Sequence, residues 1–247
     1  MLSVDRVRKS YREGGWFSSR KRHAVGPISF DLPQGECLGI IGESGSGKST
    51  LGRLVLGIEK PDGGTVRFEG RDMFDRRTRR TNVSAVFQDY ASSINPFYRV
   101  EQAVMEPLRL RGMSPSERDR AIDESLTEAG LDPSYRRRHA HELSGGEAQR
   151  VCIARAVATK PKCLLLDEAI SSLDGSIQMQ VLETLRSIKE RGNSSCLFIT
   201  HDIQAAAYLC DRIMIIRAGR AEETIEVERL KDARSEYAQR LLRTILA

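Results

Sequence analysis

Two stretches of the 247-residue chain carry residue types suited to phosphate chemistry. In "GESGSGKST", Gly42 and Gly47 bracket four residues, and Lys48, Ser49 and Thr50 follow. Glycines let backbone N–H groups turn inward around a phosphate, and a helix opening at Lys48 adds the partial positive charge of its N-terminus. On this reading Gly42, Glu43, Ser44, Gly45, Ser46 and Gly47 form a nucleotide-binding cradle, with Lys48, Ser49 and Thr50 opening the helix. Lys48 reaches the β- and γ-phosphates and Ser49 holds Mg2+. In "CLLLDE", an apolar run ends in Asp167 and Glu168. The carboxyl end of a parallel strand is where open α/β sheets place ligands. Asp167 there suits the water shell of Mg2+, and Glu168, pointing to the other side, suits an attacking water. The plain alternatives are a Gly-Ser turn that binds nothing and two solvated acids closing a strand. The first is disfavoured by the full motif between a predicted strand and a helix, the second by the phosphate loop upstream.

These residues need a scaffold of strands and helices in alternation. "CLGII" (37–41) reads as a buried strand, and "LGRLVLGIEK" after the glycine loop reads as a helix. "TVRFEG" and "VSAVF" (83–87) read as further strands, as do "CLLLD", "SCLFIT" and "IMIIR". Ile177, Val181, Leu185 and Ile188 mark a helix between the first two of those last three. Residues 1–37 show β-type alternation broken by a basic, glycine-containing insert, "REGGWFSSRKRHAVG". From 97 to 160 the pattern is helical. Ser114 is the predicted N-cap of one helix, Pro115 its first residue and Glu117 its capping-box acid. Ile122, Leu126 and Ala129 share one face, and Gly130 is the stop. The expectation is an α/β core with a mostly parallel sheet and an antiparallel β part at the N-terminus. Residues 1–96 and 161–247 form that core, and residues 97–160 form an inserted α-helical subdomain within one domain.

Composition sets outer limits. The five cysteines, Cys37, Cys152, Cys163, Cys196 and Cys210, are odd in number and show no CxxC spacing, so they read as buried and reduced. No apolar run approaches the roughly 18 residues of a membrane helix, and the start of the chain shows no export leader. A net charge of +5 permits an anionic surface as neighbour without requiring one. His23, His139 and His141 read as loop residues with no metal-ligand constellation.

Between the two phosphate motifs lies "HELSGGEAQRV", and here the sequence resembles the ATP-binding subunits of ABC transporters over nearly its whole length. Leu143, Ser144, Gly145, Gly146 and Glu147 stand at the signature motif. Gln88 stands at the Q-loop, where it joins Ser49 and Asp167 as a Mg2+ position. Ser172, Leu173 and Asp174 stand at the D-loop, His201 at the switch histidine, and Tyr11 at the aromatic that stacks on adenine. The resemblance implies a P-loop NTPase fold of the RecA-like kind, ATP and Mg2+ as ligands, and catalytic roles for Glu168, His201 and Gln88. It also implies that ATP is held between two head-to-tail subunits, with the signature of one facing the γ-phosphate of the other. Physically, Ser144, Gly145 and Gly146 begin a helix and so offer backbone N–H groups and a positive dipole end. A departure from the family pattern is Glu147, where many members carry glutamine; the extra negative charge is expected to weaken the site modestly.

"VFQDYASSINPFYRVEQAVMEPL" resembles the dipeptide, oligopeptide and nickel importers, with Ser93, Asn95, Pro96, Val100, Glu106 and Pro107 at matching places. The early insert and the ending "RSEYAQRLLRTIL" resemble the same branch. Ala169, where the family usually has proline, matches the nickel-import subunits best. The expectation is therefore an importer ATPase for nickel or a related transition-metal complex, with dipeptides or oligopeptides as the alternative cargo. Its partners would be a second, related ATPase subunit, two transmembrane permeases and, indirectly, a solute-binding protein. Its place would be peripheral, on the cytoplasmic face of the bacterial inner membrane, with the basic insert either a solvated loop or close to lipid headgroups. Nucleic acid is not expected as a partner. A soluble ABC ATPase acting on DNA or the ribosome would carry long coiled-coil inserts or two fused cassettes, and a P-loop kinase would lack the signature.

Overall fold

The computed structural model describes residues 1–12, 21–171, 173–191 and 194–246, apart from the side chains at 81, 90, 91 and 244–246. Most of the basic insert (residues 13–20) lies outside the described residues. The chain falls into two compact units, Met1–Asn82 with Leu197–Ala247, and Val83–Cys196. The first unit opens with β1 (Leu2–Arg12), β2 (Lys21–Leu32), β3 (Cys37–Ile41), α1 (Lys48–Val55), β4 (Gly63–Phe68), β5 (Arg71–Asp72) and α2 (Arg76–Asn82). The second holds β6 (Val83–Phe87), α3 (Tyr90–Ser93), α4 (Val100–Leu108), α5 (Pro115–Glu128), α6 (Gly145–Val157), β7 (Cys163–Asp167) and α7 (Gly175–Arg191). After β8 (Ser195–Thr200), the first unit finishes with α8 (Ile203–Leu209), β9 (Arg212–Arg217), β10 (Arg220–Glu226) and α9 (Glu236–Leu246).

In the first unit β2, β1, β4 and β5 form the antiparallel sheet that the N-terminal alternation predicts. Leu2, Val4 and Val7 of β1 are buried. Their spacing changes from two to three because the register slips between Val4 and Val7, where Arg6 takes φ 45°. The same unit carries the strand order β10-β9-β3-β8, in which β3 and β9 run parallel and β10 turns back antiparallel. Every residue of β3 is buried, as its unbroken apolar run requires of a strand covered on both faces. The helix after the glycine loop stops at Val55 instead of running on to Lys60, because Gly57 takes φ 64° and breaks the helical path.

In the second unit β6 and β7 are parallel and in register from Val83↔Cys163 to Phe87↔Asp167. The α5 N-terminus follows its sequence signature. The Ser114 Oγ accepts from the Glu117 amide, and Glu117 reaches back to the Ser114 amide at 2.7 Å. Ile122, Leu126 and Ala129 are fully buried, and Gly130 ends the turn at φ 71°. One reading fails. His23 lies within β2 and not in a loop, with its Nδ1 3.0 Å from the Ser10 Oγ across the β1–β2 pair. The basic run that precedes it masks the strand signal.

All five cysteines are buried, and none forms a disulfide. Cys37 and Cys210 lie with their sulfurs 3.3 Å apart, and burial pushes the Cys152 thiol up to about 11. A thiol reagent added to the native protein at pH 8 is expected to modify fewer than one cysteine per chain within minutes, and all five after unfolding in guanidinium. Rapid native labelling of two or more would contradict the packing.

Candidate functional site

The first unit supplies the phosphate loop. Strand β3 delivers the chain to Gly42, and α1 begins at Lys48. Gly47, the residue at the α1 N-cap, sits at φ 102° and gives the helix no side-chain cap. The start of α1 thus takes no side-chain cap from its N-cap position, and its dipole adds partial positive charge to the loop. Neither bracketing glycine tolerates a side chain, since a Cβ on Gly47 would come within 2.1 Å of the Ala24 carbonyl and one on Gly42 within 2.1 Å of the Ile216 carbonyl. Lys48 is buried, and its Nζ donates to the Gly42 and Glu43 carbonyls at 2.7 and 3.0 Å. Those bonds hold its charge at the centre of the loop. The Ser46 Oγ is buried without a hydrogen-bond partner, a donor left over inside the cradle.

Two more predicted residues belong to this unit. Tyr11, on β1, is half-buried, and its hydroxyl donates to Glu59 Oε2 at 2.7 Å. Glu59 is itself paired with Lys9 at 3.2 Å and Arg53 at 3.5 Å. Burial alone would raise the Glu59 carboxyl, but the Tyr11 hydroxyl and the two cations hold it below the usual range. The Tyr11 ring is thus fixed by its polar end. His201 follows β8 and is exposed, so it is not a core histidine. The turn that presents it is braced on both sides: the Asp202 amide donates to Thr200 Oγ1 at 3.0 Å, and Asp202 Oδ1 accepts from Ala205 at 3.1 Å to cap α8.

The second unit supplies the acids and the signature. Because Phe87 and Asp167 are register partners, Gln88 and Glu168 emerge one residue later from neighbouring parallel strands. Asp167 is buried, 8% exposed, at the end of β7. Glu168 is half-buried and takes φ 52°, the left-handed region that a non-glycine residue seldom occupies. The turn is held by the Ser171 amide and hydroxyl, which donate to the Glu168 carbonyl at 3.2 and 2.9 Å. Ala169 is buried at 2% exposure. Leu173 continues the same turn by donating to the Ile170 carbonyl at 3.2 Å, and Asp174, exposed, precedes α7. Ser172 of the D-loop lies outside the described residues.

Leu143 leads into the signature helix α6, which is closed by a reciprocal cap. The Glu147 amide donates to Ser144 Oγ at 3.3 Å, and the Ser144 amide donates to Glu147 Oε2 at 2.8 Å. Ser144 is therefore not one of the open donors. The amides of Gly145 and Gly146 meet no acceptor among the described residues, and they carry the positive end of the helix. A Cβ on Gly146 would stand 2.5 Å from Ile177 Cγ2, so this glycine is also what lets α6 approach α7.

The comparisons with known proteins decide the family. The sequence profile described as ABC transporter matches residues 25–171. The chain belongs to the ABC transporter ATP-binding family. The metal-staphylopine import system ATP-binding protein CntF of Staphylococcus aureus is 46% identical over 244 residues, which cover 98% of each chain. The nickel import ATP-binding protein NikE of Escherichia coli O157:H7 is 37% identical over 91% of this chain and 86% of its own. Among solved structures, a dimeric ATP-binding cassette in a post-hydrolysis state with ADP and Pi aligns with a TM-score of 0.82. It is 28% identical over 92% of this chain and 99% of its own.

Several contacts of this ABC cassette were not legible in the sequence. Arg22, in the described part of the insert, brings a guanidinium nitrogen within 3.7 Å of where a Cβ on Gly45 would sit, beside the phosphate loop. Glu59 anchors Tyr11 from 48 residues away. Glu147 is more than a departure from glutamine: it is the capping-box acid of the signature. That signal was present in the sequence as Ser144 followed three residues later by Glu147. The Tyr135 hydroxyl first, and then the Ser144 amide, hold the Glu147 carboxyl below the usual range, so it stays ionised through mildly acid pH. Its stabilising contribution is present above the ordinary carboxylate value and is lost only as pH falls through the lowered one.

Replacing Gly146 with alanine is expected to lower stability by about 1–3 kcal/mol through overpacking against Ile177. Adding Ile177→Ala should recover part of that loss, measured as the shift in thermal midpoint. Equal loss in the single and double variants would show that the α6–α7 approach is not what Gly146 serves.

Proposed function

We propose that this chain is the ATP-hydrolysing subunit of an importer and that it acts as half of a nucleotide sandwich. The observation that carries this reading is that one chain presents two glycine-flanked helix starts: α1 behind Gly47, which gives it no side-chain cap, and α6 at Gly145 and Gly146. The first serves the chain's own ATP. The second serves ATP held by another ATPase subunit in head-to-tail pairing, so each site takes residues from both partners. The likeness to a dimeric cassette with ADP and Pi supports this.

In the working site, Lys48 and the loop amides of residues 42–49 gather the β- and γ-phosphates, and the Ser46 Oγ gains the partner it lacks. Tyr11 stacks on the adenine. Mg2+, held by oxygens of Ser49, Gln88 and Asp167, would neutralise phosphate charge; the buried Asp167 carboxylate and its neighbour Gln88 offer the hard oxygen donors that such an ion takes. Glu168 orients the attacking water and accepts its proton as oxygen bonds to the γ-phosphorus and the bond to the bridging oxygen breaks. His201 steadies the γ-phosphate, the partner's signature amides take up its charge, and Asp174 of the D-loop reports across to the other site.

Coupling to transport runs through Gln88 and the segment from Ser93 to Pro107. Phe97 in that segment is 81% exposed, in keeping with a surface that receives a short cytoplasmic helix of a permease. No helix among the described residues is long and apolar enough to cross a membrane. The crossing path belongs to two permease subunits, a solute-binding protein delivers the cargo, and the ATPase sits peripherally on the cytoplasmic face of the inner membrane. The cargo we assign is a transition metal, nickel or a related one, carried as a complex. High identity to the metal-staphylopine subunit over nearly the whole chain, above that to the nickel subunit, supports a complexed metal.

Glu168→Gln is expected to bind ATP normally and to hydrolyse it about 100- to 10,000-fold more slowly, in line with loss of a general base. Near-normal turnover would remove Glu168 from its role. Lys48→Ala should abolish nucleotide binding by the isolated chain, measured with a fluorescent ATP analogue; unaltered affinity would overturn the phosphate-loop assignment. Deleting the gene should abolish uptake of radiolabelled nickel supplied with and without a chelator. Intact metal uptake with loss of dipeptide uptake would reassign the cargo.

A further inference from the structure

The loop that enters the signature is tied down on both sides, and every tie lies within the second unit. On one side is Glu147. Its Oε2 accepts the Ser144 amide at 2.8 Å, while its Oε1 accepts the Tyr135 hydroxyl at 2.5 Å and faces Arg138 Nη1 at 3.5 Å. The Arg138 guanidinium also lies over the Tyr135 ring, 4.0 Å from its centre. On the other side the loop backbone is stitched to the exposed segment around Phe97. The Val100 amide donates to the Arg138 carbonyl at 3.0 Å, and the Ala140 amide donates to the Tyr98 carbonyl at 2.9 Å. Arg99 and His139 form a β-bridge, and His141 Nδ1 lies 3.1 Å from the Pro96 carbonyl. The exposed segment is itself a fixed turn: Asn95 Oδ1 accepts the Phe97 amide at 3.0 Å. Arg138 thus belongs to both sides, through its backbone to the Phe97 segment and through its side chain to the cap of α6.

We propose that Arg138 and Tyr135 are positioning residues that act through Glu147, setting the direction of the Gly145 and Gly146 amides and passing the position of the Phe97 segment to the signature turn. This rests on the reading of the signature given above, in which those amides face the phosphate of a partner's ATP. The chemistry explains why position 147 is glutamate. A carboxylate has enough lone pairs to accept from the Ser144 amide, the Tyr135 hydroxyl and the Arg138 guanidinium together. A glutamine would accept on one side only and would present N–H donors to either a hydroxyl or a cation. The charge that seemed misplaced beside a polyphosphate is matched locally by Arg138.

The test uses the full chain co-expressed with the products of its neighbouring genes and follows ATP hydrolysis by the purified complex. Because the phosphate loop sets affinity and the closed sandwich sets turnover, Arg138→Ala, Tyr135→Phe and Glu147→Gln should each lower kcat by about tenfold, typical of one coupled pair, with KM for ATP nearly unchanged. In the Glu147→Gln background, adding Arg138→Ala should lower kcat less than about twofold further, since the group it acts through is already altered. Arg138→Lys, which keeps the charge without the planar stack, should recover part of the loss. Binding of a fluorescent ATP analogue to each variant verifies the fold independently of turnover. Losses that multiply in the double variant, or an unchanged kcat in Arg138→Ala, would overturn the positioning role. Replacing Ser144 by alanine separates the two levels. If it leaves kcat unchanged, the signature reading itself fails; if it cripples turnover while Arg138→Ala does not, only the present proposal fails.

Discussion

A helix start leaves amide donors that its own turns cannot satisfy, and most of this structure is arranged around where those donors point. At α1 the N-cap position is a glycine that offers no side-chain cap, and side chains are excluded on both flanks of the loop. The buried β3 feeding into it and the parallel β9 beside that strand keep the loop in one place. Lys48, folded onto two carbonyls of its own loop, adds a full charge to the helix's partial one.

The α6 start solves the same problem differently. Ser144 and Glu147 satisfy each other's amides, which leaves two neighbouring glycine amides as the open pair. A fully capped helix could not bind an anion, and an uncapped one at an exposed loop would be poorly directed. The reciprocal cap fixes direction while sparing two donors. That division of labour explains how a glutamate can stand beside the proposed anion site: its oxygens are spent on Ser144, Tyr135 and Arg138.

What could be read from the sequence was what is encoded locally. The phosphate loop, the acid-tipped β7 and the Ser114–Glu117 box each sit within a few residues, and each appears where the spacing predicts. Distant closures were not legible. Nothing near Tyr11 announces Glu59, and nothing near Glu147 announces a tyrosine hydroxyl twelve residues earlier, because a chain of short 3-10 turns carries no periodic signal. His23 was misread because the charged run before it hides a two-residue alternation inside β2. The left-handed backbone at Glu168 was also invisible, since residue type favours the opposite choice there.

That last feature sets an opposition between durability and work. An acid held at φ 52° on a half-buried turn keeps its backbone in a region that costs a non-glycine residue about 1 kcal/mol or more, and the rest of β7 and its following turn must absorb it. Glycine in place of Glu168 would relieve that backbone cost and, on the proposed mechanism, remove the base. On the proposed mechanism its chemistry stands against its own backbone preference. Arg6, Glu69, Lys160 and Ala218 carry the same left-handed backbone, so glycine could relieve that cost at those positions without touching the acid.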